Sequence, residues 1–448
     1  MSKKFYIESL GCAKNQVDSE VIINILIEKG FEREFDPSKC DLVFINTCGF
    51  IQSAKEEAIE TLFNLREAAP KAKIILGGCL AQRYSDILEL PEADGIFGNR
   101  DLKQVDEFVD ELLEDEEQLI SSPEYPNDPS DDYYSRSTLL NFPGSAYLKL
   151  SEGCNHRCAF CAIPVIRGPL RSRNKDQILA EARELISSGI KEINIIAQDL
   201  AAFGTDITNK SQLLPLLDEI CKIEGDYKLR LLYIHPDAFP LELLDFIKTH
   251  DKVLPYFDIP FQHAATHILR KMGRVGTSES YYNLVKQIRE ALPDAVIRTT
   301  LMLGFPGETE QDVEELLDFT KKCEFDWMGS FIYSREEDTR AFDMVSEEEH
   351  EKVIKRAKKD QKKLEAIQEE ITAKRLNRFV DNVYEALIEE KIEGEDLAIG
   401  RIYSQAPEVD GATVIMARDL VPGSVVKVGI RKVNGVDLDA IIVGDIDG

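Results

Sequence analysis

Cys154, Cys158 and Cys161 stand in a C-x3-C-x2-C run over residues 151–161, directly behind an apolar, strand-like segment at 146–150. Three thiolates on one short loop can hold three corners of a cubic iron–sulfur cluster. The fourth iron then has no protein ligand in the run and is open to a small molecule that chelates through an amine and a carboxylate. A zinc knuckle is the alternative, with His156 joining the three thiols. Structural zinc takes four ligands, usually as two pairs, and this loop has no second pair.

A second set of thiols is dispersed. Cys12, Cys48 and Cys79 each have a glycine beside them, Gly11, Gly49 and Gly78. Glycine lets a backbone turn sharply and approach a bulky inorganic group. The elements that must position them are strands and helices in alternation over residues 1–101. Strand patterns fall at 5–8, 42–45 and 73–78, and helix patterns at 19–29 and 52–66. Such alternation predicts an open parallel sheet covered on both faces. All three cysteines follow strand ends, and in open parallel sheets sites gather at the carboxyl ends of strands. Three thiolates there suggest a second cluster with one open iron. Three ordinary buried cysteines are the alternative, and disulfide redox chemistry would lack a C-x-x-C.

An acidic helix pattern at 106–118 leads into a segment carrying Pro123, Pro126, Asn127, Pro129, Ser130, Asp131 and Asp132, so 102–140 reads as acidic helix and linker. Strand–helix alternation resumes at 141. Strand patterns at 146–150, 192–197, 228–234, 256–259, 296–303 and 327–333 make six units, with helices such as 175–188 and 281–291 between them. Six units predict a partial (β/α)6 barrel; a complete barrel has eight. The three-cysteine loop follows the first strand, at the mouth where barrel chemistry belongs. Residues 346–376 form a charged helix pattern expected to be a largely solvated connector within the 141–376 segment. From 377 to 448 short β runs at 380–388, 398–401, 412–416, 425–430 and 438–443 predict a small β-barrel.

The chain has 448 residues and nine cysteines. No apolar run approaches a membrane span, and the charged start runs straight into a strand pattern, so a cytoplasmic, membrane-free protein is expected. Reduced thiols in such a compartment serve as core, catalytic or metal-binding groups rather than a disulfide framework; Cys40, Cys221 and Cys323 read as core. The formal net charge of −28 repels nucleic acid and favours basic partners, but for the molecule as a whole solubility is the better reading of it.

The C-x3-C-x2-C spacing, with aromatic Phe160 before the last cysteine, resembles the radical S-adenosylmethionine superfamily. With the N-terminal cysteines and the C-terminal β-barrel, nearly the whole chain resembles the methylthiotransferases, which carry an N-terminal cluster domain, a radical barrel and a TRAM domain. The resemblance implies two 4Fe-4S clusters, one on Cys12, Cys48 and Cys79 and one on Cys154, Cys158 and Cys161, with S-adenosylmethionine on the second. Residues 10–20, 258–264 and 406–411 are similar to the branch that adds a methylthio group to the β-carbon of an aspartate in the twelfth small-subunit ribosomal protein. At 262–264 this chain has Gln-His-Ala where tRNA-modifying relatives usually carry Gln-Ser-Gly. A tRNA adenosine methylthiotransferase is the alternative, and a protein whose clusters are only structural or redox-sensing is a further rival.

The resemblance also implies an electron donor and a basic ribosomal-protein substrate, free or on the ribosome. The run of Asp381, Glu385, Glu389, Glu390, Glu393, Glu395 and Asp396 makes tRNA an unexpected partner, because a tRNA-gripping domain is basic. Expected cofactor contacts are Phe160, Gln198 and Asp199 after the second barrel strand, Arg298 to the methionine carboxylate, and Gly304 near the adenine. Glu308 is displaced by one residue from the superfamily's glycine–glutamate spacing. His263 and His267, four apart, could share a helix face as a metal pair, but packing or a hydrogen bond near the site is the expected reading.

Overall fold

The computed structural model describes residues 2–126 and 135–443. The linker residues Asn127, Pro129, Ser130, Asp131 and Asp132 lie outside them. The chain divides into two compact units. The first holds residues 1–140, 151–177 and 336–339; the second holds 141–150, 178–335 and 340–448. The cysteine loop therefore groups with the N-terminal sheet.

In the first unit six strands form one parallel sheet in the order Glu32–Arg33, Lys4–Ser9, Leu42–Thr47, Lys73–Gly78, Gly95–Phe97, Leu119–Ser121. Strand Leu42–Thr47 is buried along its whole length. Phe44 joins the cluster of Phe5, Val21, Leu26 and Phe97 on one face, while Val43 and Ile45 join Leu62, Leu76 and Ile96 on the other. Period-two alternation between two apolar layers is why this strand reads as an unbroken apolar run. The edge strands Glu32–Arg33 and Leu119–Ser121 were not expected; the latter lies in the stretch read as linker.

The first helix spans Ala13–Glu28, starting six residues before its predicted start. Its opening turns bury Lys14, Asn15, Asp18, Ser19 and Glu20, so no apolar stripe marks them. Glu20 accepts from the Leu140 backbone N–H at 2.8 Å and pairs with Arg136, tying the segment after the linker to this helix.

In the second unit six parallel strands lie in sequence order: Ser145–Lys149, Glu192–Ile196, Lys228–Leu231, Val253–Asp258, Val296–Leu303, Trp327–Ile332. This is the expected partial barrel. The charged helix Glu347–Leu376 is less solvated than its composition suggested. Gln368 Nε2 donates to the Phe325 carbonyl at 2.7 Å and Thr372 Oγ1 to that of Asp326 at 2.9 Å, so its polar residues satisfy backbone groups beside the last strand.

Strands Val383–Lys391, Leu397–Ile402, Thr413–Met416, Val425–Asn434 and Asp437–Ile442 close a five-stranded barrel. It meets the parallel sheet through residues near the amino ends of its strands. Glu192 opens its strand and receives Arg230 Nη2 at 2.7 Å and Arg401 Nη1 at 2.8 Å, while Arg401 Nε also donates to Glu389 at 2.5 Å. The Trp327 indole N–H donates to the Ser404 carbonyl at 2.6 Å, and Tyr256 Oη to Asp410 at 2.6 Å. Among the described residues no helix is long and apolar enough to cross a membrane.

Candidate metal centre

Cys12, Cys48 and Cys79 follow three strands that are neighbours in the first unit's sheet: Lys4–Ser9, Leu42–Thr47 and Lys73–Gly78. Cys12 is the N-cap of helix Ala13–Glu28, and Cys79 opens helix Cys79–Tyr84. The flanking glycines let these backbones approach. A Cβ on Gly11 would lie 2.9 Å from the Cys48 Cβ, and one on Gly49 would lie 2.8 Å from the Leu80 backbone. Gly78 has φ +95°, a left-handed conformation costly for other residues, and a Cβ there would strike Asn46 Oδ1 at 2.4 Å.

Asn15 braces this edge. Its Nδ2 donates to the Thr47 carbonyl at 2.8 Å and the Leu10 carbonyl at 3.1 Å, fixing the backbone just before Cys48 and Cys12. Its Oδ1 accepts from the Cys79 thiol at 3.3 Å, and Asn99 Nδ2 donates to the Cys79 sulfur at 3.3 Å. Burial pushes the Cys48 thiol up to about 12, with the neighbouring Cys79 and Cys12 adding to the rise. Burial likewise raises Cys79, against the lowering influence of Arg167. Such thiols are poor free nucleophiles; a coordinating metal removes the proton outright.

The second set of thiols belongs to the same unit. A two-residue antiparallel ladder, Ser151–Glu152 against Arg171–Ser172, pinches the loop at its base. Within it the Cys154 N–H donates to the Gly168 carbonyl at 3.1 Å, and that of Cys161 to the Cys158 carbonyl at 3.1 Å. Cys154, Cys158, Cys161 and Phe160 are all half-buried. Ala162 and Ile166 behind the loop pack against Cys79, with Phe50 alongside. Tyr125 lies between the guanidinium groups of Arg100 and Arg171, and a Cβ on Gly168 would collide with its ring.

Among the described residues no three Cys, His, Asp or Glu side chains close on a single ion. A mononuclear zinc needs its sulfurs about 2.3 Å from one point, whereas a cubic cluster takes each thiolate on a separate iron and keeps them apart. The glycine-lined trio of Cys12, Cys48 and Cys79 and the pinched three-thiol loop each present the three thiolates that such a cluster takes.

The expected cofactor contacts divide. Gln198 and Asp199 follow the carboxyl end of strand Glu192–Ile196. Asp199 Oδ1 accepts the N–H groups of Ala201 and His235, both at 3.0 Å, and so ties the ends of two neighbouring strands. Gly304, at φ +74°, ends strand Val296–Leu303; its N–H donates to Glu308 at 2.9 Å, and Ala357 fills the space a Cβ would need.

Arg298 departs from its expected role. It is the third residue of its strand, at the end remote from the barrel mouth, and its Nη1 donates to Asp410 at 2.7 Å and to the Val409 carbonyl at 3.1 Å. It holds the β-barrel rather than a methionine carboxylate. His263 precedes helix Thr266–Met272 and faces buried Glu308 at 3.4 Å, while His267 faces Asp312 at 3.3 Å, so each has its own carboxylate partner rather than sharing a metal.

Sequence reasoning missed the roles of Asn15, Asp18, Asn99 and Arg167 around Cys79. The available signal was a run of polar residues opening a helix that otherwise packs in the core.

The comparisons with known proteins agree with this architecture. Residues 4–98 match the Uncharacterized protein family UPF0004, 148–320 the Radical SAM superfamily and 380–443 the TRAM domain. The chain is 44% identical to the ribosomal protein uS12 methylthiotransferase RimO of Treponema denticola, over 97% of this chain and 99% of that one. It is 39% identical to the RimO of Carboxydothermus hydrogenoformans, over 99% and 100% respectively. Among solved structures, the radical S-adenosylmethionine methyltransferase TsrM from Kitasatospora setae, with cobalamin and a [4Fe-4S] cluster bound, shares the fold. Its TM-score is 0.54 at 17% identity, covering 74% of this chain and 75% of that one.

Proposed function

Because the chain belongs to the RimO family of ribosomal protein uS12 methylthiotransferases, we propose that it adds a methylthio group to the β-carbon of an aspartate in uS12. Cys12, Cys48 and Cys79 hold one 4Fe-4S cluster, and Cys154, Cys158 and Cys161 hold the other, to which S-adenosylmethionine binds. When bound, these groups supply the electron, the hydrogen-abstracting radical and the transferred sulfur.

The chain's own residues position and shield that chemistry. The ladder at 151–152 and 171–172 holds the loop closed, and Asn15 holds the backbones before Cys12 and Cys48. Phe160 and Gln198 are the remaining candidates for cofactor contact, and Asp199 and Gly304 shape the ends of their own strands. Residues 1–101 carry the first cluster, with strand Leu119–Ser121 of the 102–140 stretch added to their sheet; 141–376 carry the radical chemistry and 377–448 recognise the substrate. An external electron donor is required, and the place of action is the cytoplasm.

The single observation that carries this reading is the pair of three-cysteine sets within one compact unit. For substrate choice, the exposed acids Asp381, Glu385, Glu390, Glu393, Glu395 and Asp396 suit a basic ribosomal protein by electrostatic steering and repel a phosphate backbone. Glu389 does not belong to that face, being buried against Arg401. The test is incubation of the anaerobically reconstituted, reduced protein with uS12, with assembled small subunits and with tRNA, read by mass spectrometry. Gain of one methylthio group on the uS12 aspartate supports the reading; modification of tRNA alone overturns it.

A further inference from the structure

Arg167 lies six residues beyond Cys161, and its side chain is 4% exposed. Nη1 donates to both carboxylate oxygens of Glu152, at 3.0 and 2.9 Å. Nη2 reaches Asn15 Oδ1 at 2.6 Å, Asp18 Oδ2 at 2.7 Å and the Cys79 sulfur at 3.6 Å. One guanidinium thus touches both stems of the three-cysteine loop, since Glu152 precedes Cys154 and Arg167 follows Cys161. It also touches a ligand of the other set and the asparagine that braces the backbones before Cys12 and Cys48.

Stability alone does not call for this arrangement. Burying an ion pair is at best weakly favourable against apolar packing, and pairing Asp18 with Glu152 through a cation requires no approach to a sulfur. A planar fork presenting five N–H groups serves four partners at once; a lysine ammonium, a point charge with three donors, does not. Hydrogen bonds to cluster sulfurs and local charge are the protein's means of setting a cluster's reduction potential.

We propose that Arg167 is a positioning residue: its guanidinium yokes the three-cysteine loop to Cys79, holding the two clusters in fixed relation, and its N–H at the Cys79 sulfur sets the potential of the N-terminal cluster. The inference rests on the two-cluster reading above. Loss of the fork moves the N-terminal cluster to a more negative potential, because the reduced, more anionic state loses a donor. Loss of the Asp18 charge moves it the opposite way.

The experiment uses the full-length chain with Cys154, Cys158 and Cys161 all changed to Ala, so that only the N-terminal cluster loads, with about four irons per chain. Midpoint potentials are measured by EPR-monitored titration for this protein and for its Arg167→Lys and Asp18→Asn derivatives. A negative shift for Arg167→Lys and a positive shift for Asp18→Asn, at equal iron content, are expected. Shifts of the same sign, or no shift, overturn the electrostatic role. Should Arg167→Lys fail to load iron, Asp18→Asn decides alone: a positive shift supports the role and its absence overturns it.

In the chain with all six cysteines, Arg167→Lys is expected to lower methylthio product about tenfold or more beyond any fall in 5′-deoxyadenosine release, as misplaced reacting groups require. A parallel fall of release and product overturns the positioning role. No release from the loaded parent chain would defeat the proposed function instead, leaving the potentials to judge Arg167 independently.

Discussion

Replacing Glu192 with Gln tests the ion network that fastens the β-barrel to the parallel sheet. Burial alone would raise the Glu192 carboxyl, but Arg230 and Arg401 outweigh it and hold the carboxyl down to about 2 from its ordinary 4.5. A group lowered on folding stabilises the folded state fully above its unfolded pKa and loses that contribution as pH falls toward the folded value. At about 1.4 kcal/mol per pH unit, the span from 4.5 to about 2 amounts to roughly 3–4 kcal/mol, a few hundredfold in the folding equilibrium. Glu192 is buried, so solvent screening takes little from that figure. Glu192→Gln should therefore destabilise the second unit by roughly 3–4 kcal/mol at pH 7, with the deficit shrinking below about pH 4.5.

Trp327 is the chain's single tryptophan, buried at this junction with its indole on the Ser404 carbonyl. Urea unfolding followed by its fluorescence reads the network locally, in parent and variant, at pH 7, 5.5 and 4. Curves that coincide within about 0.5 kcal/mol at pH 7 would refute the reasoning, and so would a deficit that grows on acidification.

Cys158→Ala should abolish 5′-deoxyadenosine release, whereas Cys48→Ala should leave release measurable while stopping methylthio transfer; identical behaviour of the two, each with the other cluster intact, would refute the division between cysteine sets. Gly78→Ala forces a side chain into a left-handed conformation 2.4 Å from Asn46 Oδ1 and should cost on the order of 2 kcal/mol or more. Thermal melting should show that loss, together with about half the iron of the parent after reconstitution. Arg298→Lys should loosen the β-barrel junction, seen as a lower unfolding midpoint by Trp327 fluorescence, and leave S-adenosylmethionine affinity within about twofold by calorimetry.

Regular elements were legible where one period dominated. Strand Leu42–Thr47 is apolar on both faces and strand Lys73–Gly78 ends in glycines, so both were visible. The start of helix Ala13–Glu28 was not, because Lys14, Asn15, Asp18, Ser19 and Glu20 are buried by polar partners rather than by apolar packing. Short edge strands such as Glu32–Arg33 carry too few residues to show a period. Residue type identified Arg298 as a cation on a barrel strand, but its position in the strand, third of eight, places it at the wrong end for the cofactor. Spacing located the six cysteines; it could not show that Arg167, remote in sequence from Cys79, contacts it.

The charge imbalance acquires a location from these contacts. Arg401 is buried against Glu192 and Glu389, and Arg378 turns inward to Asp326 at 2.5 Å. Arg378 and Arg401 are thereby engaged at the junction, while Glu390, Glu393, Glu395 and Asp396 stay exposed, alongside Lys391, Arg418, Lys427, Arg431 and Lys432. The same sequence composition with those two arginines facing outward would present a less acidic surface. Inward arginines thus serve two ends at once, fastening the β-barrel and leaving a face whose field attracts cationic protein and opposes phosphate. Affinity for a basic ribosomal protein should accordingly weaken as salt is raised, since exposed charges beyond about 8–10 Å are screened at physiological ionic strength.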